Sequence, residues 1–309
     1  MRTNKESTMF ARLILATSLM LALPAMADTP IDETRPLAAD GRVSIENLKG
    51  EIVVRAWDRP EVHVTGTLGE GIESFSVAGS GSSLSIEVKY PKNGGGWFSG
   101  GNKSGPSLLE VRMPATASLD VDAVSARVDI AGLDGGRLSV DNVSGEVRVR
   151  GSRVSEARFD NVSGDIDAEI DSPDIAIDTV SGDVRLVGAG GGSLGLDTVS
   201  GSAGVELGEV RRVVMDTVSG DIELSTRLAP GGQISADSVS GGLRLRLPAD
   251  TSARLAVETF SGGISSPVGQ VQTERYGPGK RLQAPLGDGD GDIRLEAFSG
   301  DVRVELTLK

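Results

Sequence analysis

Apolar and polar residues alternate with a period of two through most of the 309-residue chain, in short segments that come in pairs. In one pair, Ile175 and Ile177 precede the tetrapeptide Val-Ser-Gly-Asp, and Val184 and Leu186 follow it. A period of two indicates a strand with one buried face. Each pair of segments therefore predicts two short strands, and the tetrapeptide predicts the corner that joins them.

The corner motif and its near copies recur with a nearly fixed period. Successive copies are 18 to 21 residues apart, and only the last interval is longer, at 38 residues. The motif serines are Ser125, Ser144, Ser163, Ser181, Ser200, Ser219, Ser240, Ser261 and Ser299. Repeats of this length stack into solenoids, because one coil cannot bury its apolar face alone. The sequence therefore predicts an all-β fold, a single-chain parallel β-solenoid of about 19-residue coils with an N-terminal antiparallel hairpin cap.

Glycine follows the motif serine in every copy except the first, where Ala126 follows. A glycine at each corner suits a bend with positive φ, and a neighbouring hydroxyl can bond a turn amide. The residue before each serine is valine, or phenylalanine at Phe260 and Phe298, and we expect it to point inward as a stacked apolar column. We interpret these serine and glycine pairs as structural corners: Ser144 and Gly145, Ser163 and Gly164, Ser181 and Gly182, Ser200 and Gly201, Ser219 and Gly220.

Neither the motif serines nor the single histidine indicates catalysis. A serine nucleophile needs a base beside its hydroxyl, and no histidine recurs with the motif. His63, the only histidine, lies outside the repeat in the strand-like stretch Glu61-Val62-His63-Val64. We interpret it as a surface strand residue, and we predict no catalytic residue and no cofactor.

The first 27 residues have the features of an export signal, with basic Arg2, Lys5 and Arg12 followed by an apolar stretch over 13–23. Cleavage after Ala27 would give a periplasmic or secreted protein; the alternative is that the segment is retained as a membrane anchor. Since no later segment is apolar over the length of a membrane span, we predict no transmembrane segment in the mature chain.

Residues 28–40 are predicted to be a flexible mature N-terminus, and residues 41–309 form the predicted solenoid domain. In the stretch from Val43 to Val54 the repeat columns continue, with Lys49 in place of the serine. The domain is expected to have four parts: a degenerate first coil with cap strands (41–117), regular coils (118–266), an insertion that protrudes from the rod (267–292) and a last coil (293–309).

Composition narrows the range of partners. The chain has a formal net charge of −13, which should repel nucleic acid, and only 3% aromatic residues for stacking on bases or sugars. It contains no cysteine, so thiolate metal sites, disulfides and lipid attachment through a cysteine are excluded.

Acidic residues form two columns beside the corner, one three residues before the motif serine and one two residues after it. Asp178 and Asp183 occupy these positions around Ser181. Stacked carboxylates repel one another, and a divalent cation would relieve that repulsion. Alternatively, each carboxylate accepts hydrogen bonds from the amides of its own corner. We favour the corner interpretation and expect no metal site.

Three aromatic residues interrupt the repeat and are candidates for contact with a partner. Trp97 and Phe98 lie in the glycine-rich segment between Pro91 and Pro106, and Tyr276 lies in the insertion 267–292. Binding energy concentrates in a few such side chains. The alternative, that Trp97 and Phe98 fold back onto the cap, is the stronger one for this pair on the sequence alone. The expected partner is an envelope or host-surface ligand, either protein or glycan.

The repeated Thr-Val-Ser-Gly-Asp, as in Asp178 to Asp183, together with Val111-Arg112-Met113-Pro114, resembles the bacterial domain-of-unknown-function family labelled "putative adhesin". The resemblance extends over roughly residues 38 to 309 and implies a non-enzymatic exported binding or scaffold protein of the cell envelope. Two alternatives stay open, an envelope polysaccharide-processing β-helix enzyme and a component of an envelope-stress sensing system.

Overall fold

A computed structural model describes residues 29–91, 104–275 and 277–307. These residues form 22 strands of one hydrogen-bonded sheet. At the N-terminal end lie β1 (Thr29–Pro36), β2 (Arg42–Trp57), β3 (Glu61–Leu68), β4 (Ser74–Ser80), β5 (Ser83–Lys89) and β6 (Ser107–Pro114). The middle contains β7 (Ser118–Ala131), β8 (Asp134–Ser144), β9 (Val147–Ser163), β10 (Ile166–Asp171), β11 (Asp174–Ser181), β12 (Val184–Gly190), β13 (Ser193–Ser200), β14 (Ala203–Ser219), β15 (Ile222–Ser238) and β16 (Leu243–Pro248). The chain continues through β17 (Ala253–Thr259), β18 (Ile264–Ser265), β19 (Gln272–Thr273), β20 (Lys280–Leu286), β21 (Gly291–Ala297) and β22 (Val302–Thr307).

The described part of the chain is all-β and solenoid-like. Within those residues the structure contains no helix that is long and apolar enough to cross a membrane.

Equivalent residues of successive coils lie opposite one another in parallel pairs. Asp178 in β11 lies opposite Asp160 in β9 on one side and Asp197 in β13 on the other. On the second strand of the same coil, Val184 lies opposite Ile166 and Ala203. The sequence repeat is therefore converted into straight columns of like side chains along the rod.

The inward columns form one continuous apolar core. Ile175, Ile177 and Leu186 are at most 2% exposed, and they belong to a cluster that extends from Leu37 to Val304. Each coil buries these side chains against the coils above and below it, which is how short repeats acquire a core.

At five corners the glycine after the motif serine has a positive φ, which is 130° at Gly182; the five are Gly145, Gly164, Gly182, Gly201 and Gly220. A Cβ added at Gly182 would lie 2.3 Å from the carbonyl oxygen of Gly164 in the neighbouring coil. Backbone conformation and close stacking of the corners both require glycine at this position.

The expectation that the valine before each serine points inward is wrong. Thr179 is 5% exposed, whereas Val180 is 48% exposed. The strand alternation continues through Thr179, so the next residue falls on the outward face before the chain turns. Phe260 and Phe298 also point outward, with exposures of 50% and 57%.

At the N-terminal end, the spatial order of the strands differs from the sequence order. One side of β2 pairs with β5 and β6, and its other side pairs with β7, where Lys49 lies opposite Ser125. The strands β4 and β3 then pair antiparallel with β5 and β6.

The segment expected to be a flexible N-terminus instead forms β1, which is antiparallel to β3, and the following Leu37 is 1% exposed. Pairing with the edge of β3 orders this largely polar segment.

A similar exchange of order occurs at the C-terminal end. The strand β21 lies between β15 and β17, and β22 lies between β16 and β18. The last coil in the sequence is therefore inserted between two earlier coils. The insertion 267–292, expected to protrude from the rod, instead contributes β20, which pairs antiparallel with the edge of β17.

Candidate binding groove

The outward residues before the motif serines form a continuous apolar column, which we call the apolar ridge. Its members are between 43% and 57% exposed. At the C-terminal end of the ridge, the rings of Phe298 and Phe260 stack with their centroids 5.0 Å apart. In spatial order the ridge contains Val124, Val143, Val162, Val180, Val199, Val218, Val239, Phe298 and Phe260.

A column of carboxylates runs parallel to the ridge, two residues earlier in each coil, and we call it the acidic ladder. Both columns lie on the outward face of the same strands, because residues two apart share a face. In spatial order the ladder contains Glu87, Glu46, Asp122, Asp141, Asp160, Asp178, Asp197, Asp216, Asp237, Glu296 and Glu258.

The ridge and the ladder border a groove of about 2200 Å³ that runs along the rod. Residues outside the regular repeat line its two ends. Glu73 and Lys89 lie at the N-terminal end, and Glu274 and Lys280 lie at the C-terminal end. The groove is therefore a long surface feature with walls of different chemistry, one apolar and one acidic.

Crowding of like charges changes the proton affinity of the ladder. Partial burial, and then the neighbouring carboxylate of Asp216, raise the pKa of Asp197 above its ordinary value of 3.8. The same two kinds of cause raise the pKa of Asp122, Asp141, Asp178, Asp216 and Asp237. In Asp160 burial also acts to raise the pKa, but hydrogen bonds and charge from Arg158 outweigh burial and lower it.

Cations of the protein neutralise parts of the ladder. Arg158 bonds Asp160 at 2.8 Å and reaches Asp178 at 3.5 Å. At the two ends, Lys89 lies 3.1 Å from Glu87 and Arg281 lies 3.0 Å from Glu258.

Several ladder aspartates lack such a cation. Within the described ranges, no ion pair of 4.0 Å or less joins a lysine or arginine to Asp122, Asp141, Asp197, Asp216 or Asp237. The charge of Arg158 still acts to lower the pKa of Asp141, and that of Arg294 acts to lower the pKa of Asp237, whereas no cation acts on the pKa of the other three. The negative charge of the ladder is therefore least compensated at Asp122, Asp197 and Asp216.

The second acidic column has a structural role that differs from the expected one. The carboxylate of Asp165 accepts the amide of Asp183 at 2.9 Å, and Asp183 accepts the amide of Ser202 at 2.8 Å. These donors belong to the neighbouring coil, so the prediction that each carboxylate caps its own corner is wrong. The ladder carboxylates accept no backbone amide in the part of the chain that the structure describes.

At some corners the inward residue two before the serine bonds its own corner instead, whereas the buried hydroxyls of Thr179, Thr198 and Thr217 have no hydrogen-bond partner among the described residues. The amide of Gly241 donates to the hydroxyl of Ser238 at 2.9 Å, and the amide of Gly262 donates to Thr259 at 3.0 Å. This arrangement leaves the outward carboxylates of the ladder facing the groove.

The motif serines that form side-chain bonds connect neighbouring coils. The hydroxyl of Ser144 donates to the carbonyl of Val124 at 3.1 Å, and Ser299 donates to the carbonyl of Val239 at 3.1 Å.

His63 lies on β3, where it bonds Asp32 at 2.8 Å and stacks on Trp57. Among the described residues, no group of three or more histidines and carboxylates is arranged to hold a metal ion.

The candidate partner residues Trp97, Phe98 and Tyr276 lie outside the described residues, as does the predicted signal segment 1–27.

The sequence analysis did not identify Glu46 and Glu87 as members of the ladder. Glu46 could have been found, because it stands three residues before Lys49 in a coil that matches the repeat. Glu87 precedes Tyr90 and Pro91 rather than a corner motif, so only the pairing of β2 with β5 places it there.

The fold and the groove define a β-solenoid with a two-sided surface along its corner. The family described as Toastrack DUF4097 matches residues 41–305, and the chain belongs to this family. No curated protein matches the chain.

Several solved structures are similar to the chain at low sequence identity. A putative adhesin from Parabacteroides merdae ATCC 43184 is 9% identical, with a TM-score of 0.46 over 90% of this chain and 99% of that one. A putative adhesin from Bacteroides fragilis NCTC 9343 is 12% identical, with a TM-score of 0.45 over 90% and 98%. A putative lipid binding protein from Parabacteroides distasonis ATCC 8503 is 13% identical, with a TM-score of 0.42 over 89% and 96%.

Proposed function

We propose that the chain is a non-enzymatic binding or scaffold protein, exported to the cell envelope, whose ligand lies along the groove. The observation that supports this proposal best is the exposure of the apolar ridge. Monomeric soluble proteins rarely expose large continuous apolar patches, and such patches mark sites of interaction. The chain exposes one apolar side chain in coil after coil, in an unbroken row.

Repetition favours binding over catalysis. A catalytic site needs different groups converging on one point, whereas the groove presents the same two chemical types at every step. A ligand that follows the groove would therefore make many similar contacts, each of modest strength. This chemistry suits attachment to an extended molecule of the envelope or of a host surface, and the predicted signal segment suits export.

A sedimentation experiment tests the proposal. The mature chain, residues 28–309, is mixed with an isolated envelope fraction of the source bacterium, and bound protein is measured in the pellet. The ridge variant replaces three central exposed valines: Val180→Ser, Val199→Ser and Val218→Ser. The control variant makes the same change at half-buried or exposed valines outside the groove: Val187→Ser, Val214→Ser and Val271→Ser.

The proposal predicts that wild type and the control variant sediment with the envelope, whereas the ridge variant stays in the supernatant. Equal sedimentation of both variants would show that the groove is not the binding surface.

Mass spectrometry of the exported protein should also show a chain that begins at Asp28, and retention of the first 27 residues would contradict the predicted cleavage.

A further inference from the structure

The two columns that line the groove have the chemistry to hold one kind of ligand. Resting on the proposed function, we propose that the groove binds an extended polypeptide segment in which basic and apolar residues alternate. The basic side chains contact the acidic ladder, and the apolar side chains contact the apolar ridge.

The spacing of the two walls favours an extended ligand. Asp178 and Val180 are two residues apart on one strand face, which places the walls about 6.6 Å apart. In an extended strand, successive side chains point to opposite sides, so one side can follow the ladder and the other the ridge. Alternation of basic and apolar residues therefore directs each chemical type to its own wall.

Charge complementarity indicates that the ligand is positively charged where it meets the ladder. The ladder is least compensated at Asp122, Asp197 and Asp216, whereas its two ends are already paired with Arg281 and Lys89. Ligand cations at the centre would relieve the repulsion between stacked carboxylates. A second copy of the chain, with its net charge of −13, is disfavoured at the same surface.

The length of the groove sets the length of the probe. At about 4.8 Å per row, the ladder from Asp122 to Glu296 extends over about 34 Å. An extended decapeptide is about 33 Å long and spans the same distance.

Fluorescence anisotropy with labelled decapeptides tests the proposal. The first peptide alternates lysine and valine, the second alternates lysine and serine, and the third alternates glutamate and valine. The protein is used as wild type, as the ridge variant, and as a ladder variant with Asp178→Asn, Asp197→Asn and Asp216→Asn. A charge-matched control neutralises three exposed carboxylates outside the groove: Glu206→Gln, Glu209→Gln and Asp288→Asn.

We expect saturable binding of the lysine–valine peptide, and a loss of affinity of about tenfold or more in the ridge and ladder variants. The charge-matched control should bind within about twofold of wild type, because it changes net charge without changing the groove. The lysine–serine and glutamate–valine peptides should each bind at least about tenfold more weakly. Circular dichroism and thermal unfolding verify that every variant is folded.

Any of four results would overturn the proposal. Equal losses in the ladder variant and its charge-matched control would show attraction to net charge alone, and equal binding of the lysine–serine peptide would show that the ridge takes no part. Binding of neutral phosphatidylcholine vesicles through the ridge, without peptide binding, would assign the groove to a lipid surface. If the envelope fraction still bound through the ridge while every peptide failed, the proposed function would stand and this inference would fall.

Discussion

The ring of Phe298 stacks on the ring of Phe260, and the backbone amide of Phe298 donates to Ser238 at 2.8 Å. The amide of Phe260 in turn donates to Ala297 at 3.1 Å. These bonds place the last coil of the sequence between the coils of Ser240 and Ser261. The apolar ridge and the acidic ladder remain unbroken at the C-terminal end because this coil fills the gap.

Engineered disulfides test the inserted coil, and the absence of native cysteine makes the measurement direct. Asp237 lies opposite Glu296, and Glu258 lies one row further on. Adjacent rows are about 4.8 Å apart, which a disulfide can bridge, whereas two rows span about 9.6 Å, which it cannot. Oxidation should therefore link the pair Asp237→Cys with Glu296→Cys, measured as loss of free thiol.

The matched pair Asp237→Cys with Glu258→Cys should keep its free thiols under the same conditions. Coils stacked in sequence order would give the reverse outcome, since Glu258 would then be the neighbour of Asp237.

The corner glycines are predicted to be intolerant of any side chain. Gly182→Ala should lower the free energy of unfolding by at least about 2 kcal/mol, from the strained φ and from the contact with Gly164. At Gly195, an added Cβ meets no atom within 4 Å and φ is not positive. Gly195→Ala should therefore change stability by less than about 0.5 kcal/mol, measured by urea denaturation. Equal stabilities for the two variants would contradict the corner geometry.

The serine that connects two coils should contribute modestly to stability. Ser144→Ala removes the hydroxyl that donates to the carbonyl of Val124 and also lies 3.2 Å from the hydroxyl of Ser125, and the loss should cost about 1 kcal/mol of unfolding free energy. The sedimentation of this variant with envelopes should match that of wild type. A folded Ser144→Ala variant that no longer bound the envelope would assign the serine a direct role in recognition.

The acidic ladder predicts an unusual dependence of stability on pH. Burial and neighbouring carboxylates raise the folded-state pKa of Asp197 and Asp216. Such groups bind protons in the folded chain at a pH where the unfolded chain remains ionised, so stability rises as pH falls through their raised pKa. The unfolding temperature should therefore increase as pH is lowered from 7 towards the ordinary aspartate value of 3.8.

At lower pH the trend should reverse. The pKa of Asp292 is lowered by its hydrogen bonds with Arg254, and the pKa of Asp129 is lowered because Arg55 and Arg150 outweigh its burial. Their stabilising contribution is lost as pH falls through these lowered values. The ladder variant should be more stable than wild type at pH 7 and should show a flatter rise. An unfolding temperature that falls steadily from pH 7 would contradict the repulsion within the ladder.

The sequence period predicted the inward columns well, because alternation identifies a buried face wherever two polar positions flank an apolar one. It failed at Val180, because an apolar residue beside a corner was assumed to be buried, although the buried position there belongs to Thr179. The outward position of Val180 could not be predicted from residue type, because here a small polar residue is buried and an apolar residue is exposed, the reverse of the usual pattern.

The order of the coils could not be predicted from the repeat. Any two coils with the same columns of side chains can pair, so Asp237 is equally suited to Glu258 and to Glu296. Which pairing forms depends on how the segment between β18 and β21 crosses the end of the rod. The membership of Glu87 in the acidic ladder could not be predicted either, because Glu87 joins it only through the pairing of β5 with β2.

Thiol labelling at the centre of the ridge tests most directly the claim that the groove is the ligand surface. The variant Val199→Cys places one thiol on the ridge, and Val187→Cys places one on a strand outside the groove. Both are reacted with a maleimide in the presence and absence of the envelope fraction. We predict that the envelope slows labelling at Val199→Cys by at least about tenfold and leaves Val187→Cys unchanged. Unchanged labelling at Val199→Cys, with the protein bound to the envelope, would show that the groove is not the ligand surface.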